Sequence, residues 1–291
     1  ALDEVVSIRQ EIHALAEDAT PEGQKLKSQR LFDANDATEK VRKIADVCVG
    51  SFFSKDKNKL RLEERQLRVD IVQAWLGGDE DAEISVNRWV QEIRDYHVPF
   101  HWWIEFPEVF YGDRPDPISN GEKNGAAYMD GFVGNPPFLG GRKVSGAFGN
   151  SYSEWLATKH QCGKNANFCA HFFRATWSLL GQHGAAGLVA TNAIAEGDTR
   201  EAGLQKMILN GARVYDARCD FSWPGVANVT ISTICFAVGS PAADISCTLN
   251  GQLVQQINSK LEPRVEKGDP VKLGRNSNRC FQGVILGGMG F

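Results

Sequence analysis

Residues 134–138 read Gly134-Asn135-Pro136-Pro137-Phe138, directly after the apolar Gly131-Phe132-Val133. Two successive prolines hold φ near about −65° and remove two backbone donors, so the turn is stiff and its carbonyls are free to face a ligand. The Asn135 side chain and the Pro136 carbonyl can both accept hydrogen bonds from one –NH2 group. Phe138 offers a flat face to a planar base, with Pro137 beside it. A short motif thus supplies a nitrogen clamp and a stacking platform. The plain alternative is an X-Pro-Pro turn that only ends a strand.

The charge around this motif is uneven. From Phe132 to Leu180 there are five basic residues (Arg142, Lys143, Lys159, Lys164 and Arg174) and one acid, Glu154. Upstream, Gly77 to Glu92 is acidic. A basic patch beside the motif is what a phosphate backbone requires, although a solvated face has the same composition. Arg142 and Lys143 lie on the Gly- and Ser-rich stretch Gly140–Ser151, which reads as a loop able to close over a ligand.

These residues must be held by an α/β frame. Helical spacing of apolar residues marks 1–17, 37–48, 60–76 and 82–96. Thr20-Pro21-Glu22-Gly23 and Gly77-Gly78 are breaks. The run from Phe100 to Phe110 is dense in aromatics and reads as strand-like, with Glu105 and Glu108 pairing with basic residues or capping. A polar, turn-rich loop spans Gly112 to Gly125. Then come a strand at 131–134, an amphipathic helix at 168–180, a turn at Gly184–Gly187 and a buried strand at 188–191. Asp198 reads as the N-cap of a helix over 199–210, stopped by Gly211. Strands follow at 213–217 and 227–238. Strand, loop, helix, strand, helix, strand is the α/β pattern, and open α/β sheets bind ligands at the carboxyl ends of their strands.

Composition excludes little but agrees. Hydrophobic residues make up 42% and charged residues 23% of 291 residues, with a net charge of −4. No apolar run reaches membrane-span length, and the first ten residues lack the apolar core of a signal peptide. The seven cysteines are scattered and never form a Cys-x-x-Cys pair, which points to a reducing, cytoplasmic setting and away from structural zinc. His97, His101, His160, His171 and His183 show no ligand spacing, and no metal site is expected.

Four stretches together resemble the DNA adenine N6-methyltransferase domain of large restriction–modification and phage-defence methylases, including type IIG enzymes. They are FHWWIEFPEVF at 100–110, DGFVGNPPFLGG at 130–141, GLVATNAIAEGDTRE at 187–201 and WPGVANVTISTICF at 223–236. The tail at 276–291 also resembles the lead into target recognition in such enzymes. The resemblance implies a partial class I, Rossmann-like sheet with an N-terminal helical segment. It implies three regions: helical segment at 1–97, catalytic half at 98–240, and linker or start of target recognition at 241–291. Asn135 and Pro136 would hold the N6 amino group of an adenine flipped out of double-stranded DNA, and Phe138 would stack on it. Trp223 would be a second stacking or packing aromatic, and Arg142 and Lys143 would reach phosphates.

The resemblance also implies S-adenosylmethionine as methyl donor. The family's aromatic-x-Gly-x-Gly cofactor turn and ribose-binding acid belong ahead of the helical segment, and neither appears before residue 130. The cofactor-binding residues are therefore expected upstream of Ala1. The sequence opens at Ala1 in a helical pattern and closes at Phe291 within a motif. It reads as an internal fragment, inactive alone, whose cofactor half comes from the rest of a larger polypeptide or a partner chain. Restriction or defence subunits are further expected partners. Gly287-Gly288-Met289-Gly290 leaves a permuted order open. Two other functions stay open: a non-catalytic structural or DNA-contacting methylase piece, and methylation of protein glutamine or RNA.

Overall fold

Helices come first because the sequence supplies their caps and their stripes. In the computed structural model, which describes residues 2–15, 20–115, 123–125, 128–226, 229–239 and 245–268, four of them open the described chain. They are α1 (Leu2–Ala14), α2 (Pro21–Phe53), α3 (Asn58–Leu76) and α4 (Glu80–Tyr96). The first helix, expected from Ala1, is described from Leu2 onward, and Ala1 itself lies outside the described residues. The expected break at Thr20-Pro21 is the start of α2: Thr20 Oγ1 accepts from the Gly23 amide and Pro21 fills the first helical position. Asp79 caps α4 in the same way, through the Ala82 amide. Val47, Trp75, Val86, Trp89 and Val90 form the core shared by α2, α3 and α4.

The aromatic run is not a strand. It folds as two short helices, α5 (Trp102–Glu105) and α6 (Pro107–Phe110). Pro107 at the first position of α6 has no amide to leave unpaired there, and Phe110 is fully buried. Glu105 accepts from Arg42 Nε at 3.1 Å, and Glu108 lies 3.7 Å from His13, so both acids meet basic groups as expected. A small hairpin of β1 (Asp113–Pro115) and β2 (Lys123–Gly125) follows.

The main sheet contains β3 (Met129–Gly134), β4 (Leu180–Thr191), β5 (Arg213–Ser222), β6 (Thr230–Ala237), β7 (Cys247–Leu249) and β8 (Gln252–Val254), in the spatial order β3-β4-β6-β5-β7-β8. β3 and β4 are parallel, and β6 is antiparallel to both β4 and β5. β3, β4 and β5 therefore run the same way, with one reversed strand between them. The architecture is mixed α/β, as the sequence implied. Beyond residue 240, β7 and β8 still belong to this sheet.

Helix α9 (Phe168–Leu179) packs on one face. Its Phe173 lies 6.0 Å from Phe236 of β6, ring to ring, over a core that includes Leu188, Ala190, Ile194, Leu204 and Ile234. Three expectations are corrected here. Gly184–Gly187 is not a turn but the middle of β4, held by pairing with β3 and β6, and at Gly184 a Cβ would meet the Met129 carbonyl at 2.9 Å. Gly140–Ser151 is not a loop but α7 (Gly141–Phe148), followed by the start of α8 (Asn150–His160). Burial of Val144 against Leu156 and Phe168 outweighs the poor helix propensity of its glycines. The helix expected at 199–210 runs as α10 (Gly197–Arg200), a π-helical turn (Glu201–Gln205) and α11 (Lys206–Leu209). Glu196 stands at its N-cap and Asp198 sits within its first turn.

Candidate functional site

Register places the motif at a shared edge. Gly134, the last residue of β3, pairs with Leu188, and β4 continues to Thr191, which pairs with Ile231. Ser222, the last residue of β5, pairs with Thr230, the first of β6. The exits of β3, β4 and β5 thus lie at one end of the sheet. There the chain carries Asn135–Phe138, the 3-10 turn Asn192–Ala195, and the turn from Trp223 to Val229. This is the carboxyl end that open α/β sheets use for ligands.

Within the motif exposure alternates. Asn135 and Pro137 are exposed, Pro136 is buried and Phe138 is half-buried. Asn135 is therefore open to solvent next to a proline seated in the fold, and Phe138 is partly accessible. Beyond it the Leu139 carbonyl accepts from the Phe168 amide at 2.8 Å. Gly141 is buried so closely that a Cβ there would stand 2.2 Å from the Asn165 carbonyl oxygen. Only glycine allows that approach.

Trp223 is half-buried, and its amide donates to the Val229 carbonyl at 3.0 Å, closing the turn. The indole lies over Gly225, whose Cβ position is 2.5 Å from Nε1. Val226 at the tip is fully exposed. Ala227 and Asn228 of this turn, the tail at 276–291 and Gly287–Gly290 lie outside the described residues. So does Ala1, upstream of which the cofactor-binding residues are expected, and no described residue speaks for or against that placement.

The five basic residues divide. Arg142 and Lys143 are exposed on the first turn of α7. Lys159 sits over the Trp155 ring at 4.7 Å, and burial lowers its pKa. Lys164 pairs with Glu154 at 3.0 Å. Arg174 donates to the carbonyls of His160 and Ala202. Lys159 and Lys164 are exposed too, but each has a partner, whereas Arg142 and Lys143 have no side-chain partner among the described residues.

Three residues near the motif carry no signal within it. Asn167 caps α9, its side chain accepting from the Cys169 amide at 3.3 Å. Thr199, buried on α10, accepts from the Asn167 amide at 3.1 Å. An Asn directly before an apolar helical run is the one hint the sequence held. Thr191 ends β4 with its hydroxyl buried and without a partner among the described residues. Beneath it Cys169 is fully buried, and burial pushes its thiol up to about 12, as fits a small apolar residue. A cavity of about 630 Å³ lies between the helical segment and the α7–α8 junction, lined by Phe53, Trp89, His97 and Phe148, but it does not include the motif.

Comparison with known proteins bears on this geometry. Residues 115–249 match the family model described as MmeI, DNA-methyltransferase domain. This stretch is therefore similar to a DNA-methyltransferase domain. Its matched span holds Asn135–Phe138, the β4 exit and the Trp223 turn together. Among solved structures, the type IIL restriction–modification enzyme MmeI in complex with DNA is similar at 21% identity, with a TM-score of 0.39 over 48% of this chain and 20% of that one. The chain thus spans about a fifth of that enzyme's length. No curated protein matches. A methyltransferase domain implies a methyl donor. No helix among the described residues is long and apolar enough to cross a membrane.

Proposed function

We propose that this chain is the target-base half of a DNA adenine N6-methyltransferase within a cytoplasmic restriction–modification or phage-defence enzyme. The observation that carries the reading is the Asn135–Phe138 motif at the carboxyl end of a parallel strand, inside the stretch that matches the methyltransferase family. An adenine in a duplex keeps its amino group in pairing and stacking, so it must leave the stack to be modified. Asn135 and the Pro136 carbonyl accept the two N6 hydrogens. Phe138 stacks on the ring, with Pro137 beside it and Trp223 across the edge. Two acceptors draw the nitrogen away from planarity and free its lone pair. Positioning supplies most of the rate.

The donor in this reading is S-adenosylmethionine. Among the described residues no strand pairs with the outer edge of β3. In this reading the donor site would come from another part of a larger polypeptide or from a partner chain. Arg142 and Lys143 would meet DNA phosphates.

The test uses the full-length polypeptide with labelled S-adenosylmethionine and duplex DNA. Nucleoside digestion should give N6-methyladenine. Asn135→Ala should abolish methyl transfer and leave DNA affinity within about threefold, since the residue meets the base and not the backbone. Label appearing in RNA or in protein glutamine, and not in DNA, would overturn the substrate assignment. Turnover of Asn135→Ala within tenfold of wild type would overturn the role of the clamp.

A further inference from the structure

The motif is stiff within itself, but a stiff segment positions a base only if both its ends are fixed. Its first end is Gly134, held in the sheet by β4. Its second end is Leu139, whose carbonyl accepts from Phe168, the first residue of α9. That amide has no acceptor within its own helix, because the first turn of any helix leaves its amides unpaired. The catalytic segment therefore borrows a free donor from α9, and its position depends on where α9 begins.

Two residues set that beginning. The Asn167 side chain caps α9 through the Cys169 amide. The Asn167 amide, in turn, donates to the hydroxyl of Thr199, which is buried on the helix that follows the β4 exit. We propose that Thr199 and Asn167 are positioning residues for methyl transfer: they tie the far end of the Asn135–Phe138 segment to the β4 exit, so that clamp and stacking ring hold a fixed place over the sheet edge. The proposal rests on the reading of that segment as the base-holding loop. The packing of Gly141 against the Asn165 carbonyl brings the same two backbones together at a second point. The neighbouring Arg200 extends the tie. It donates to Ser259 at 2.9 Å, and Ser259 is held through its amide and hydroxyl by Glu266. Residues 199–200 thus bracket the catalytic segment on one side and the segment at 258–266 on the other.

Removing the Thr199 hydroxyl leaves the Asn167 amide without its acceptor and frees α9 to shift. In the full-length polypeptide, Thr199→Val should lower kcat by roughly tenfold to a hundredfold, the scale expected for a misplaced reacting group. KM for DNA and donor affinity should move by less than about threefold, because ground-state contacts are kept. Thr199→Ser keeps the hydroxyl and should restore most of kcat. Asn167→Ala removes the cap and leaves the Thr199 contact, which is to the backbone; it should lower kcat in the same manner, and Asn167→Asp, also a good cap, should rescue it. Asn167→Ala also serves if Thr199→Val does not fold. An unchanged kcat in the Val and Ala variants, or a loss not rescued by Ser and Asp, overturns the proposal. If the wild-type enzyme does not methylate DNA, the functional reading fails on its own. Hydrogen exchange then decides the tie: Thr199→Val should speed exchange in peptides covering 136–141 and 166–169 and leave 80–96 unchanged, and unaltered exchange at 136–141 overturns it.

Discussion

Asn135 is exposed beside a buried Pro136, the arrangement that the proposed clamp requires. Phe138 is half-buried, and stacking requires that its exposed part be a ring face. Phe138→Ala should therefore weaken use of an extrahelical adenine by roughly 1–3 kcal/mol, while Phe138→Trp keeps a flat ring and should be tolerated. Measuring kcat/KM on matched duplexes checks this, and equal losses in both variants would mean that the ring only packs. The motif was legible in the sequence because its chemistry is local: four consecutive residues carry acceptor, stiffness and ring. Thr199 was not legible as a partner of that motif. It lies 32 positions from Asn167, and only folding brings its hydroxyl to that amide. Gly141 was legible as flexible, but its use is the opposite, a close approach to the Asn165 carbonyl that fixes the chain.

At the scale of elements, α7 shows how packing overrides composition. Gly140–Ser151 has the residues of a loop, yet Val144 finds Leu156 and Phe168, and a helix forms. This changes the meaning of Arg142 and Lys143. Two cations in the first turn of a helix oppose its dipole, so they stabilise nothing locally. Their exposure at that place fits an anionic partner. Replacing both by Ala should lower the log–log salt slope of DNA binding by about one to two units and leave thermal stability unchanged or slightly raised. An unchanged slope would make them a solvated face. The α8–α9 pair carries a separate consequence. His160 and His171 lie 5.1 Å apart, ring to ring, and both are buried. Burial, then the nearby charges of His171, Lys159 and Arg174, hold His160 down to about 3. Burial and Arg174 hold His171 down to about 4. The unfolded chain binds these protons from about pH 6.5 downward and the folded chain does not. Stability is thus fully present above that pH, falls as pH drops toward 4, and levels off near 3. His171→Leu should remove one of the two protons, and with it up to about 1.4 kcal/mol per pH unit of that slope. Its Nδ1 is buried without a partner among the described residues, so the change should cost little at pH 7. Denaturant unfolding at pH 7, 5.5 and 4.5 measures both effects. The eleven-residue spacing of this pair across two helices gave no periodic signal, so neither ring stood out before folding.

For the molecule as a whole, the helical segment is docked on the sheet-bearing part through a few specific contacts. Asp46, almost fully buried, accepts from Arg94 of α4 and meets His101 ahead of α5, each at 2.7 Å. Trp102 then reaches Phe132 of β3, ring centroids 5.7 Å apart. Further along, His97 stacks on Tyr152 of α8, and Phe53 lies near Trp155. A further tie is electrostatic. Arg61 of α3 is buried over the Phe52 ring at 4.0 Å and donates to Glu154 of α8 at 2.8 Å. The Arg61 hydrogen bond, with Lys164 adding to it, holds the Glu154 carboxyl below its ordinary value. A carboxylate held low contributes stability above its unfolded pKa, and that contribution is lost as pH falls through the folded one. Glu154 is about a third exposed and shared with Lys164, so its pairing with Arg61 is worth less than a fully buried pair. A double-mutant cycle with Arg61→Met and Glu154→Gln should give a coupling energy on the order of 1 kcal/mol at pH 7. The coupling should shrink as pH falls through the lowered pKa of the carboxyl, where it takes up its proton. If the aromatic contacts and this pair dock the two parts as one body, the wild-type chain should unfold in a single transition, and the double variant should separate it into two, with the helical segment losing hydrogen-exchange protection first. A coupling energy near zero, together with an unaltered single transition, would mean that the Arg61–Glu154 pair does not contribute to the docking.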